Sequence, residues 1–276
     1  ITHTHWDHIQ GFPFFTPLFI PGYAWEVMAP HGFGQSLDRV LAGQMEYPYF
    51  PVTIDQLGAK IDFHGLVEGE FTIGSVRVQV CFLNHPTPTM GYRLEVGGAS
   101  LVYATDHEPY SRHMHEQTNL PVHHEDLRHI EFLEGADLVI HDAQYTAEEY
   151  VKKVGWGHSS YDQVVDFALS ARAGRLLLFH HDPQRTDDEL DRQVDALRKS
   201  PRVQESGLLV EAAAEGVVIE LPETAVAPSA SFTAVNPVAA QSSTEIDTSQ
   251  TKIMVADDDP DIRALIVAAV KAEGYA

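Results

Sequence analysis

The first eight residues, Ile1-Thr2-His3-Thr4-His5-Trp6-Asp7-His8, constrain this chain more than any other stretch. Three imidazoles and a carboxylate fall within six positions, between a β-branched residue and the turn formers Gly11 and Pro13. Packing alone does not call for that density of ligand-type side chains. In an extended segment residues two apart point to the same side, so His3 and His5 can converge on one cation. If the chain turns into a helix after Trp6, Asp7 and His8 project in a second direction, toward a second cation beside the first. Nitrogen and oxygen donors suit Zn²⁺ and are compatible with Mn²⁺ or Fe.

Composition narrows what can surround such a turn. With 276 residues, 44% of them hydrophobic and 21% charged, the chain reads as a soluble globular protein of one large domain or a domain and a half. No apolar run approaches the roughly twenty residues that span a bilayer, so no membrane insertion is expected. Its single cysteine, Cys81, excludes an intramolecular disulfide and fits a reducing cytoplasm. A formal charge of -22 would repel a long nucleic acid, whereas a small anionic substrate is compatible with two cations at the site. No signal peptide is visible. The chain opens inside a motif that should follow a buried strand, so the first strands of the domain are expected to be missing.

Along the chain, Phe12, Phe14, Phe15, Leu18 and Phe19 read as core with a share in a pocket wall, interrupted by Pro13, Pro17 and Pro21. Leu37, Val40 and Leu41 predict a short helix ahead of a Tyr- and Pro-rich loop at Tyr47 to Pro51. The alternation Val76, Val78, Val80, Phe82 predicts a half-buried strand ending at Asn84-His85-Pro86, which makes His85 the third ligand of the first cation. Strands at Tyr92–Val96 and Leu101–Ala104 flank a Gly97-Gly98 hairpin turn and lead to Thr105-Asp106-His107-Glu108, of which His107 is expected to point elsewhere. His113, His115, His123, His124 and His129 read as a solvated loop and helix face.

Leu138-Val139-Ile140 is a buried strand ending in His141 and Asp142. After Gly155-Trp156-Gly157-His158, a helix starts with Ser159 or Ser160 as N-cap and stops at Gly174. His158 thereby sits at a helix N-terminus, a place that favours anions. Leu176 to Phe179 is the next buried strand. His180, directly after it, fits the last ligand of the second cation and ranks ahead of His181. Thr186 and Glu189 form a capping box for a helix with Leu190, Val194 and Leu197 on one stripe, and strands near Leu208–Val210 and Val217–Leu221 close the domain.

The His-x-His-x-Asp-His opening, with His85, Asp106 and His180 at later strand ends, resembles the metallo-β-lactamase superfamily of hydrolases. That resemblance implies an α/β (α+β) fold, a four-layer αββα sandwich over residues 1–221 with the metals at one edge. It also implies that Asp106 bridges two ions. The full metal set is then His3, His5, Asp7, His8, His85, Asp106 and His180, with a metal-bridging hydroxide as nucleophile that Asp7 helps to aim. His141-Asp142-Ala143 paired with Gly157-His158-Ser159 looks like the phosphodiesterase branch, which includes ribonuclease Z. In that branch Asp142 would orient His158, the general acid toward a small or cyclic phosphodiester. The alternatives are another ester or thioester as substrate, or a metal-binding sensing module.

Residues 222–250, rich in Ala, Pro, Ser and Thr, read as a flexible tether. From Lys252 a hydrophobic strand ending in Asp257-Asp258-Asp259, then a helical pattern through Val270, resembles the opening of a response-regulator receiver domain. The resemblance implies a truncated receiver over 251–276. In a complete receiver Asp257 and Asp258 would help hold Mg²⁺, and a histidine kinase would be the partner.

Overall fold

The computed structural model describes residues 1–31, 34–111 and 122–221. The expected tether at 222–250 and the receiver opening at 251–276, with Asp257, Asp258 and the Mg²⁺ they would hold, lie outside the described residues, as do His113 and His115.

The chain turns from its extended start into the single-turn helix α1 (Trp6–Ile9) and runs through two 3₁₀ turns into β1 (Ala24–Pro30). Helix α2 (Leu37–Gln44), β2 (Lys60–Leu66), β3 (Gly69–Ile73), β4 (Val76–Leu83), β5 (Thr89–Val96) and β6 (Ala99–Ala104) follow. Then come α3 (His124–Leu133), β7 (Leu138–Asp142), α4 (Ala147–Tyr150), α5 (Tyr161–Ser170), β8 (Arg175–Phe179), α6 (Asp187–Lys199), α7 (Pro201–Ser206) and β9 (Leu209–Ala212). Strands β1 and β2 form a parallel pair, and β3 to β9 form one mixed sheet in sequence order.

Strand direction explains where the site lies. β4 is antiparallel to β5 and β5 to β6, whereas β6, β7 and β8 are mutually parallel. β4, β6, β7 and β8 therefore all run one way, and His85, Asp106, Asp142 and His180 emerge at one edge. Parallel strands joined by helices place their ligands beyond their carboxyl ends for this reason. The opening segment is tied to the same region: Met90 N–H donates to the Thr2 carbonyl (2.9 Å) and the Tyr92 hydroxyl to that of Ile1 (2.7 Å).

One face of the parallel half, carrying Val102, Ala104, Val139, Leu176 and Leu178, packs under Phe132, Val164, Val165, Phe167, Val194 and Val203 of the helices. The other face, with Tyr103, Ile140 and Leu177, is covered in part by Ile219. Burying such a side chain contributes about 1.5–3 kcal/mol, so the edge is held by a core on both sides of its strands. Met28 of β1 packs with Val76, Val78 and Val80 of β4, and α2 packs against the two-stranded sheet through Leu37 and Leu41. The architecture is α/β, a mixed sheet with helices against one face and a parallel strand pair beside it. Among the described residues no helix is long and apolar enough to cross a membrane.

Several expectations need correction. Residues 217–221 form no strand: Ile219 covers the sheet face without joining its ladder. Arg172, with φ of 55°, takes the left-handed position after α5 that Gly174 was expected to fill. Gly174 instead lies so close to the chain that a Cβ would meet the Asp137 carbonyl oxygen at 3.1 Å. Phe82 is exposed despite continuing the alternation of Val76, Val78 and Val80 and standing opposite the buried Met90 on β5. Phe14 is 71% exposed rather than core, since the 3₁₀ turn that buries Phe12 points it outward. His129 is no solvated residue of α3 but is buried beneath the sheet edge, while His123, at the N-cap of that helix, is exposed.

Candidate metal centre

At the sheet edge the opening turn supplies two donor directions. The His5 backbone is extended, with ψ of 150°, and α1 starts at the next residue. That break in backbone geometry separates His3 and His5 from Asp7 and His8. Ligand atoms of His3, His5, His85 and Asp106 lie within 4.8 Å of one another, and so do those of Asp7, His8 and His180. Asp106, His158 and His180 form a third such group. His181 belongs to none of them among the described residues.

Asp106 joins the two main groups with one oxygen each. Its Oδ2 lies 3.5 Å from the Nε2 of His3 and 3.5 Å from that of His85, and its Oδ1 lies 3.3 Å from His8 Nε2 and 3.5 Å from His180 Nε2. Asp7 Oδ2 stands 3.3 Å from His8 Nε2 and 3.6 Å from His180 Nε2. His85 Nε2 is 3.0 Å from His5 Nδ1. Both Asp106 and His180 have a left-handed backbone, with φ of 54° and 55°. Non-glycine residues in that region cost about 1–2 kcal/mol each, and such strain clusters where a side chain must be aimed.

The electrostatics suit cations. Burial pushes His3 down to about 2, with neighbouring His8 adding to the shift, and burial lowers His5 and His85 as well. These imidazoles are therefore neutral near pH 7, the form that binds a metal. The neighbouring imidazoles of His180 and His8 hold Asp7 well below the usual carboxylate range. Asp106 is held low too: its burial acts upward, but the hydrogen bond from His8 and the charges of His180 and His8 outweigh it. His180 goes the other way. Burial lowers it, yet the Asp7 carboxylate beside it and the charges of Asp106 and Asp142 raise it to about 9. A divalent cation would take the place of that proton between the same carboxylates. His3 Nε2 is buried with no hydrogen-bond partner among the described residues, which is costly unless an ion or water faces it. The donor set, five imidazoles and two carboxylates, fits two divalent cations.

Beside the donors, His158 Nδ1–H faces Asp142 Oδ2 at 3.0 Å, and Asp142 is fully buried. Ser160 is the N-cap of α5 and Ser159 instead donates to the His107 carbonyl, so His158 stands two residues ahead of the cap. Its ring stacks on His180 at 4.9 Å between centroids. Trp6, between the two donor directions, lines a cleft of about 410 Å³ with Gln10, Phe14, Tyr49 and Phe50.

Two polar residues went unread in the sequence. The Gln144 carboxamide lies 3.0 Å from His180 Nδ1, and Glu108 is buried against the loop that carries His158. Gln144 follows Asp142 by two positions, so the alternation of a strand continuing past its end was the available signal. For Glu108 no local signal exists, because the partners of its carboxylate lie more than forty positions away.

Comparison with known proteins agrees with this geometry. Residues 1–181 match the family model described as a beta-lactamase superfamily domain. Over 60 residues the chain is 42% identical to the ribonuclease Z of Thermoplasma acidophilum, a match covering 22% of this chain and 20% of that enzyme. Among solved structures, the metallo-beta-lactamase fold protein YhfI from Bacillus subtilis aligns with a TM-score of 0.50 at 18% identity, covering 77% of this chain and 72% of that one. Unliganded yeast PDE1 aligns with a TM-score of 0.53 at 14% identity, over 78% of this chain and 66% of that one. A diphosphatase of the PhnP family gives 0.50 at 22% identity, over 76% and 66%. At these identities the structures speak for the fold alone. With two-thirds of its length matched by the family model and His, Asp donors gathered at the sheet edge, the chain belongs to the metallo-β-lactamase superfamily.

Proposed function

We propose that the chain is a two-metal hydrolase of a small or cyclic phosphodiester, with Zn²⁺ as the preferred ion and Mn²⁺ or Fe compatible. His3, His5 and His85 would hold one ion, Asp7, His8 and His180 the other, and Asp106 both. When bound, such a pair lowers the pKa of water to about 7 and offsets charge on phosphoryl oxygens. The protein supplies the proton and the fit. His158, fixed through Nδ1 by Asp142, would present its other ring nitrogen to the departing oxygen as general acid. Asp7, exposed at the rim of the donors, would accept a hydrogen bond from the attacking group. The cleft beside Trp6 offers room for the organic part of a small substrate, and the net charge of -22 disfavours a long polyanion.

The observation that carries this reading is the 3.0 Å His158–Asp142 pair within reach of Asp106 and His180. The names of the relatives, a ribonuclease Z, a PDE1 and a diphosphatase, support the phosphoryl class. The single cysteine supports a cytoplasmic setting. The sequence pattern from Lys252, an apolar run followed by three acidic residues and a spaced apolar series, is what supports a signalling context, with a histidine kinase as partner and Mg²⁺ as cofactor of a complete receiver.

The test is a panel of bis(p-nitrophenyl) phosphate, 2′,3′- and 3′,5′-cyclic nucleotides, a thioester and a β-lactam. Phosphodiester turnover should exceed the rest, and His158→Ala should lower it about a hundredfold or more with metal content unchanged. Unaltered turnover in that variant would remove the general-acid role. Silence toward every substrate with metals loaded would point to the sensing module, and thioester turnover to the other hydrolase class.

A further inference from the structure

Glu108 follows Asp106 by two positions, but its carboxylate turns away from the ion ligands into the loop after α4. It is buried, at 6% exposure, and takes four hydrogen-bond contacts there. The Tyr150 hydroxyl donates to Oε1 at 3.0 Å, Gly155 N–H to both oxygens at 2.8 and 3.0 Å, and Gly157 N–H to Oε2 at 2.8 Å. Gly155 and Gly157 both have positive φ, 87° and 89°, which is how two N–H groups two residues apart come to face a single carboxylate.

The Gly157 peptide does more than close that turn. Its carbonyl accepts from His85 Nδ1–H at 3.0 Å, which leaves Nε2 of that ligand with its lone pair turned toward Asp106 Oδ2. The approach is so close that a Cβ on residue 157 would meet His85 Nδ1 at 2.2 Å and Pro86 Cδ at 2.4 Å. The residue after it is His158, paired with Asp142. One peptide thus orients a donor of the first group, and the next side chain is the one facing the leaving side.

Glu108 is also fastened from behind. Its N–H donates to the Asn84 carbonyl at 2.9 Å and its own carbonyl accepts from the Asn84 amide at 2.7 Å, so it moves with the strand end that presents His85. We propose that Glu108 is a positioning residue that sets both halves of the site at once. Its carboxylate locks the 155–157 turn so that the Gly157 carbonyl fixes the tautomer of His85 while His158 is held against Asp142. The role assigned to His158 rests on the hydrolase reading above; the grip on His85 does not. A ligand imidazole whose second nitrogen loses its partner binds metal about 10- to 100-fold less tightly.

Glu108→Gln isolates this. A carboxamide keeps the volume but has one accepting oxygen, and its NH₂ would oppose a glycine N–H. In the Zn²⁺-loaded protein, wild type should show downfield imidazole N–H resonances from His85 and His158, the latter assigned by its loss in His158→Ala. Glu108→Gln should shift or broaden both and weaken Zn²⁺ about tenfold in chelator competition, and in the Co²⁺-loaded form the visible absorption band should move. Wild-type resonances, affinity and spectrum in a folded Glu108→Gln protein would overturn the proposal. If that variant does not fold, Tyr150→Phe removes one contact only and should give a smaller change in the same direction; no change there would overturn it equally. None of these measurements needs a substrate, so absence of phosphodiesterase turnover would count against the hydrolase reading and leave this one to be decided by the spectra.

Discussion

The same sheet edge carries two groups of histidines, and they are built differently. His3, His5, His8, His85 and His180 surround two carboxylates: His85 Nε2 and His5 Nδ1 stand 3.0 Å apart, while the imidazole nitrogens keep 3.3–3.6 Å from the carboxylate oxygens. Behind them, His107, His129 and His141 are sealed under α3 and α5. The rings of His107 and His129 stack at 3.9 Å, Nε2 of His129 and His141 are bonded to each other at 2.9 Å, and Phe167 packs at their edge. His107 receives the Asn84 N–H on Nδ1 and sends its own backbone N–H to Asp142. The first group lines a space shared with two carboxylates; the second is packed ring on ring, with His107 Nε2 left without a hydrogen-bond partner among the described residues. Both groups are largely buried, and what separates them is their company: the open imidazoles share their space with two carboxylates, and the sealed rings face one another. The sealed group still matters to the open one, since it forms the floor on which Asp142 rests.

The sharpest way to break this contrast is Asp106→Ala, which removes the shared oxygen pair. It should strip at least one of the two proposed ions, as read by metal analysis, and lower turnover about a thousandfold, equivalent to several kcal/mol of lost charge stabilisation. Full metal loading in that variant would mean that the two donor groups are independent. His129→Ala should do the opposite: lower stability by about 2–4 kcal/mol in denaturant unfolding, through a cavity and an unpaired His141 nitrogen, while metal content stays at the wild-type level. Loss of metal in that variant, with the fold intact, would show that the two groups are not separable.

Acid should report the sealed group as well. Burial, reinforced by neighbouring imidazole charge, holds His107 and His129 well below the ordinary 6.5, and burial lowers His141. The unfolded chain takes up protons near 6.5 where the folded one does not. Stability from these groups is therefore present above that pH and is lost as pH falls below it. With metals saturating, removing one such group in His129→Ala should flatten the acid limb by about 1.4 kcal/mol per pH unit. An identical limb in both proteins would place the acid sensitivity elsewhere. The smallest effect belongs to Cys81, a soft donor outside both groups whose thiol is pushed up to about 12 by burial and by Glu68. Cys81→Ser should leave metal content unchanged and the thiol of the wild type should alkylate slowly at pH 8.

Much of the open group was legible because each donor follows a local rule: two directions in the His3 to His8 turn, and polar residues where the apolar runs ending at Leu83, Ala104, Ile140 and Phe179 stop. Capping at Ser160 and Thr186 was equally readable, since a cap and its partner sit three residues apart. His129 was misread for the converse reason. On α3 it stands among charged residues, and only docking of that helix against α5 turns it inward. Phe14 and Phe82 failed likewise: apolar identity says what a residue prefers, and the neighbouring element decides whether cover exists.

By itself the sequence determined the donor types, the strands that end in them and the family they resemble, because those depend on spacing of a few residues. Only the tertiary structure decided that β4, β6, β7 and β8 share one direction, that Asp106 divides its oxygens between two groups, and that Glu108 grips Gly157 across forty-nine positions. Contacts between distant segments depend on how sheets and helices pack as a whole, and that energy is spread over the core rather than written at either partner.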